Sequence, residues 1–137
     1  MSDVMPTIPP VPTEISQPFW DACREGRLIM PHCEDCGEKS FYPVRLCPHC
    51  GSARLSWAEV SGRGRIHSAT TLMRASAPVF AEAVPYVVAL IELEEGPIMM
   101  SNIVGPGRLE ARIDDAVAVQ FETVGEVTLP RFRLADK

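Results

Sequence analysis

The sequence predicts a mainly β protein: a short N-terminal helix, a metal ribbon closed by four cysteines, and a five-stranded barrel. Three observations carry that reading. Four of the five cysteines fall as two C-x-x-C pairs, Cys33/Cys36 and Cys47/Cys50, with ten residues between the pairs. Five strand-like runs separated by glycine and proline turns follow the second pair. Only one segment, residues 16–26, carries the punctuation of a helix.

The totals are compatible with this. The chain has 137 residues, 46% of them hydrophobic and 23% charged, enough for one core and too apolar for wholesale disorder. Thirteen basic side chains against 18 acidic ones give a formal charge of −5. Four thiolates around one divalent zinc would take that to about −7. Such a chain is repelled by phosphate backbones unless its cations cluster. The start, "MSDVMPTIPP", lacks the basic-then-apolar order of a signal peptide, and the longest strictly apolar stretch, "YVVALI", is far short of a membrane span. Paired C-x-x-C motifs also suit a reducing compartment, so the expectation is a soluble cytoplasmic protein without a membrane role.

The elements follow in order. Residues 1–13 contain Pro6, Pro9, Pro10 and Pro12 and are expected to form an extended arm, either a frayed end or a strap across a partner. In "SQPFWDACREG", Ser16 is a candidate cap, Pro18 suits the first turn and Gly26 the stop. Phe19, Trp20 and Cys23 share one side of this short helix, which must pack on something to persist. Cys23 stands apart from the pairs and reads as a small buried hydrophobe.

Beyond Leu55 the period changes. "SGRGRIHSATTLM", "YVVALIEL", "IMMSNIVG", "VAVQFETV" and "LPRFRL" read as five strands. The second is continuously apolar, as for a strand buried on both faces or in a closed barrel. The segment "GPGRLEARIDDA" is too broken for a substantial helix. Five strands with so little helix suit a Greek-key barrel of the OB type. The expected divisions are an arm (1–15), helix and lead-in (16–31), ribbon (32–54) and barrel (55–137).

The cysteine spacing is the most specific signal. Zinc takes four thiolates tetrahedrally, and two tight C-x-x-C turns supply a pair each. Gly37 and Gly51 follow the second cysteine of each turn and permit the positive φ that aims backbone N–H groups at sulfur. A four-thiolate shell leaves no open position for water, so the site is structural: one zinc per chain held by Cys33, Cys36, Cys47 and Cys50, with iron in a rubredoxin-like site as the alternative. His32 and His49 flank the cysteines without being needed to complete the shell. No nucleophile elbow, phosphate loop or dinucleotide fingerprint is present, and "GRGR" at residues 62–65 precedes no helix that could hold a phosphate.

The order of these elements resembles the acyl-CoA-associated zinc-ribbon/OB-fold proteins known as domain of unknown function thirty-five. The resemblance rests on "FWDACREGRL", "CEDCG", "YPVRLCPHCGS", "LSWAEVSGRGRIHSATTL", "PYVVALIELEEGP" and "SNIVG", in order from Phe19 to Gly105. It implies a non-catalytic companion of a thiolase-superfamily enzyme: a thiolase, a hydroxymethylglutaryl-CoA synthase-like enzyme, or an acyl-CoA or steroid aldolase. In such a complex the chain would help shape the CoA site. Strand alternation puts Arg63, Arg65 and His67 on one face, which makes them candidate CoA-phosphate contacts, with ordinary surface ion pairs as the competing account. Phe19, Trp20, Phe41 and Tyr42 are the candidate partner surface. The alternative function is single-strand nucleic-acid binding, which OB barrels and zinc ribbons also perform. An acidic balance and 7% aromatic content argue against it.

Overall fold

Helix α1 (Gln17–Arg24) is followed by β1 (Leu28–Cys33), β2 (Leu55–Val60), β3 (Arg63–Leu72), β4 (Tyr86–Leu93), β5 (Ile98–Val104), β6 (Ala116–Val124) and β7 (Val127–Leu134). The computed structural model describes residues 7–75 and 77–135, so the first six residues of the expected arm lie outside it. No described helix is long and apolar enough to cross a membrane.

Proline at the start and glycine at the end bound α1. Gly26 takes φ 79°, which returns the Arg27 N–H to the Ala22 carbonyl at 2.9 Å. Ser16 occupies the cap position but does not cap. Its hydroxyl instead accepts from the Trp20 indole at 3.2 Å and from the Thr13 N–H at 2.9 Å. Phe19, Ala22 and Cys23 face inward, and the helix packs on β1 and β7.

The first two strands form a separate antiparallel pair, from Leu28 opposite Val60 to Cys33 opposite Leu55. Residues 55–60, expected to open the barrel, therefore belong to the ribbon's stem. The chain reaches the barrel only after the Ser61–Gly62 bend. There the strand order is β3-β4-β5-β7-β6, closed by β6 returning to β3. All neighbours are antiparallel except β5 and β7. Mainly β, one short helix, a ribbon and a closed five-stranded barrel is the fold the sequence predicts.

Closure demands close approaches, and the glycines of "GRGR" sit where they occur. A Cβ on Gly62 (φ 78°) would collide with the Val119 side chain, and one on Gly64 with the Glu92 carbonyl. The pair lets β3 cross closely over β6 and β4 and is not a phosphate loop. Inside the barrel lie Ile66, Val87, Ala89, Ile91, Leu93, Met99, Ile103, Val117 and Phe132. Strand β4 is thus not buried on both faces. Its odd positions fill the core, while Leu90 turns outward and stays over a third exposed.

Candidate metal centre and partner surface

The four cysteines converge. Each C-x-x-C turn is built alike: Gly37 donates to the Cys33 carbonyl and Gly51 to the Cys47 carbonyl, both at 2.9 Å. Both glycines have φ 79°. Cys33 donates back to Glu38 at 2.9 Å, and Cys47 to Ser52 at 2.8 Å. The Cys36 N–H reaches the Cys33 sulfur at 3.4 Å, and the His49 N–H reaches the Cys47 sulfur at 3.3 Å. Asp35 of the first turn accepts from Ser52 and Arg54 of the second, and the Ser52 hydroxyl foremost holds its carboxyl below the usual range.

All four sulfurs lie within 4.8 Å of one another. The cross-turn separations are 3.6 Å for Cys33–Cys50 and 3.7 Å for Cys36–Cys47. Zinc–sulfur bonds of about 2.3 Å in a tetrahedron require sulfurs about 3.8 Å apart, whereas a disulfide requires about 2.05 Å. The geometry fits a tetrahedral metal. The electrostatics agree. The Cys36 N–H, foremost, pulls the Cys33 thiol down to about 6. At Cys36 the Glu38 N–H also pulls down, but desolvation and the neighbouring sulfurs outweigh it and push the thiol up to about 12. Without a cation the cluster resists a second charge, and a divalent ion removes that conflict.

The four aromatics of the expected partner surface also meet. Phe19 packs edge-on against Trp20 (centroids 5.0 Å) and Phe41 (5.7 Å), and Phe41 lies 4.4 Å from Tyr42. They latch helix to ribbon. Phe19 is only 3% exposed and acts from inside, while Tyr42 is 56% exposed. All four line one pocket of about 360 Å³, whose other walls are the proline-rich arm, β5 and β7.

Arg63, Arg65 and His67 do share the exposed face of β3, across an irregularity between Ile66 and Ser68. Each faces an acid. Arg63 pairs with Glu94 at 3.0 Å, Arg65 with Glu92 at 3.4 Å, and His67 lies 3.9 Å from the same Glu92. Arg133 donates to the Val119 carbonyl at 3.1 Å. Arg131 pairs with Glu122 at 3.5 Å with both side chains almost fully buried.

Two features escaped the sequence reading. One is that buried ion pair. The other is an outward apolar ridge on β4 and β5: Leu90 stands opposite Met100, with Ile98 two residues along, all exposed. The signal was present in "IMMS", where an apolar residue stands at each outward position that alternation would normally make polar.

Comparison with known proteins places these features in a family. Residues 20–56 match the ChsH2 rubredoxin-like zinc ribbon domain, and residues 57–122 match the ChsH2 C-terminal OB-fold domain. A DUF35 domain-containing scaffold protein of Methanothermobacter thermautotrophicus is 38% identical over 96 residues, 69% of this chain and 71% of that protein. A protein of Thermomonospora curvata named probable enoyl-CoA hydratase alpha subunit is 37% identical over 120 residues, 85% of this chain. This chain spans only 37% of that protein's length. Among solved structures, the Ltp2-ChsH2(DUF35) aldolase is similar with a TM-score of 0.80 and 32% identity, covering 92% of this chain and 98% of that one. A DUF35 protein of unknown function from Sulfolobus solfataricus shares the fold, with a TM-score of 0.64 at 14% identity.

Proposed function

The chain belongs to the DUF35 family of zinc-ribbon and OB-fold scaffold proteins, and from that premise we propose that it is a non-catalytic companion subunit of a thiolase-superfamily enzyme acting on acyl-CoA thioesters. The observation that carries this reading is the exposed ridge of Leu90, Ile98 and Met100, the last of which lines one pocket with Tyr42. Large apolar side chains aligned on a strand's outer face cost solubility and stabilise an association. The names of relatives support a companion role in an enzyme complex, an aldolase in one case and an enoyl-CoA hydratase subunit in the other, and leave the thiolase superfamily to be tested.

Within that role, Cys33, Cys36, Cys47 and Cys50 hold one zinc, which cross-links the two turns and fixes the ribbon on its β1–β2 stem. Iron would fit the same sulfurs, and metal analysis separates the two. The partner contacts Tyr42, the outer edges of Trp20 and Phe41, and the ridge, with Phe19 supporting them from below. Arg63, Arg65 and His67 already face Glu92 and Glu94, whose carboxylates oppose a CoA phosphate at this face, so any such contact forms in the complex. Co-expression with candidate thiolase-like enzymes tests the reading. A stable co-eluting complex, active only with the enzyme present, is expected. A chain that ignores such enzymes and binds single-stranded oligonucleotides at physiological salt would move the nucleic-acid reading into first place.

A further inference from the structure

Strands β5 and β7 run side by side for only part of their length. They pair in parallel at Ile103 with Phe132 and at Val104 with Arg133, and at no earlier position. Before that point the barrel has an open seam, and the pocket beside the aromatic latch lies in it. Met99 to Asn102 of β5 line one side of this opening and Leu129 to Arg131 of β7 the other.

The backbones of the two sides differ in what they offer. On β7, Pro130 has no N–H, and its carbonyl already accepts from Ser101 Oγ at 2.8 Å. On β5 the edge is free. The Leu93 N–H donates to the Pro97 carbonyl at 2.9 Å, which sets the alternation of the β4–β5 ladder. Met99 and Ser101 then turn their N–H groups toward β4, while Met100, opposite Leu90, turns its N–H and carbonyl toward the seam. Among the described residues no backbone group pairs with Met100 on that side. A row of unpaired backbone groups at a sheet edge is a template for another extended chain.

Size and charge narrow the occupant. The opening has a volume of about 360 Å³. One turn of helix, about 10 Å across and about 5.4 Å long, would fill more than about 400 Å³, so an extended chain fits better. Of the side chains that line it, only Arg131 is charged, and it is buried in its pair with Glu122. A charged segment would lose hydration there without an exposed counter-charge, and an uncharged one would not. The opening also continues the surface assigned to the partner, since Trp20, Phe41, Tyr42 and Met100 belong to both. We propose that an extended, uncharged segment of the partner enzyme adds to β5 at Met100 as a short strand. It exchanges two backbone hydrogen bonds with Met100 and turns its next side chain into the opening. This deepens the docking role and rests on it: the ridge supplies apolar contact, and the free edge fixes the register.

Amide hydrogen exchange on the full metal-loaded chain, alone and with a co-eluting thiolase-like enzyme, tests this residue by residue. In the isolated chain the Met100 amide should exchange rapidly while those of Met99 and Ser101, bonded to β4, stay protected. In the complex Met100 exchange should slow by about tenfold or more. Met100→Pro deletes the outward N–H without breaking a bond to β4, whereas Met100→Ala deletes the side chain alone. The Pro variant should bind the enzyme about tenfold more weakly than the Ala variant. Exchange in the parent chain decides the matter even if the Pro variant fails to fold. A Met100 amide already protected in the isolated chain would overturn the proposal, whether this chain or a second copy covers it. So would a complex that leaves Met100 exchange unchanged, or Ala and Pro variants that bind alike, and these results spare the docking role. A chain that forms no complex with such enzymes overturns the docking role and the strand addition together.

Discussion

The sulfur of Cys33 stands 3.6 Å from that of Cys50, seventeen residues away, at the spacing of two corners of a zinc–thiolate tetrahedron. That relationship joins the first cysteine of one turn to the last of the other, so the metal closes the ribbon rather than decorating a single loop. One zinc per chain is expected by elemental analysis. Its removal by a chelator should unfold the ribbon, since a structural zinc supplies on the order of 10 kcal/mol to a small module. Cys36→Ser and Cys47→Ser should lower the melting temperature and lose the metal. Metal-free protein with undiminished stability would refute the staple, and a red protein with thiolate-to-iron absorption would make the metal iron.

The ridge and the latch should respond differently to substitution. Met100→Glu changes an exposed side chain and should leave the melting temperature of the isolated chain nearly unchanged while breaking co-elution with the partner enzyme. Trp20→Ala should weaken the complex by about 2 kcal/mol and also destabilise the chain, because Trp20 packs on Phe19. Intact complex formation by Met100→Glu would place the interface elsewhere.

For the β3 arginines, Ala at both Arg63 and Arg65 removes three exposed ion pairs and should cost no more than about 1 kcal/mol of stability for each. Should they contact CoA in the complex, the Michaelis constant for the acyl-CoA rises with turnover little changed. A constant that stays put identifies them as surface pairs with Glu92 and Glu94.

The Glu122–Arg131 pair offers a double-mutant cycle. Either single change, Glu122→Gln or Arg131→Met, strands a charge in a buried setting and should destabilise by about 3–5 kcal/mol. The double variant should recover most of that loss. Additive losses from chemical denaturation would mean that the two side chains are not coupled.

Alkaline stability should report on Cys23. Burial pushes its thiol from 9.0 up to about 12 in the folded chain. The folded state therefore holds the proton that the unfolded state releases between those values. The associated stability is fully present below pH 9.0 and is lost as pH rises toward about 12. Cys23→Ala should flatten the fall in melting temperature above pH 9 relative to the parent, with the metal held constant in both. An identical slope would show that Cys23 ionises as freely folded as unfolded.

Local spacing determined what was legible in the sequence. Two C-x-x-C turns with Gly37 and Gly51 build themselves from a few adjacent residues, and the five short runs at β3 to β7, rich in strand formers and bounded by glycine and proline turns, announce a barrel. The short helix was legible from Pro18 and Gly26, although the hydroxyl of Ser16 was claimed by Trp20 instead of the helix end. Only the tertiary structure decided which elements meet. Residues 55–60 pair with residues 28–33, a choice made by register across the whole ribbon and invisible in either segment alone. Tertiary packing turned Leu90 and Met100 outward from the barrel and brought Phe19 of the helix and Phe41 and Tyr42 of the ribbon into one cluster. It also buried Arg131 against Glu122, two side chains whose composition alone signals surface. Burial is a property of what covers a residue, and the covering elements here come from distant parts of the chain.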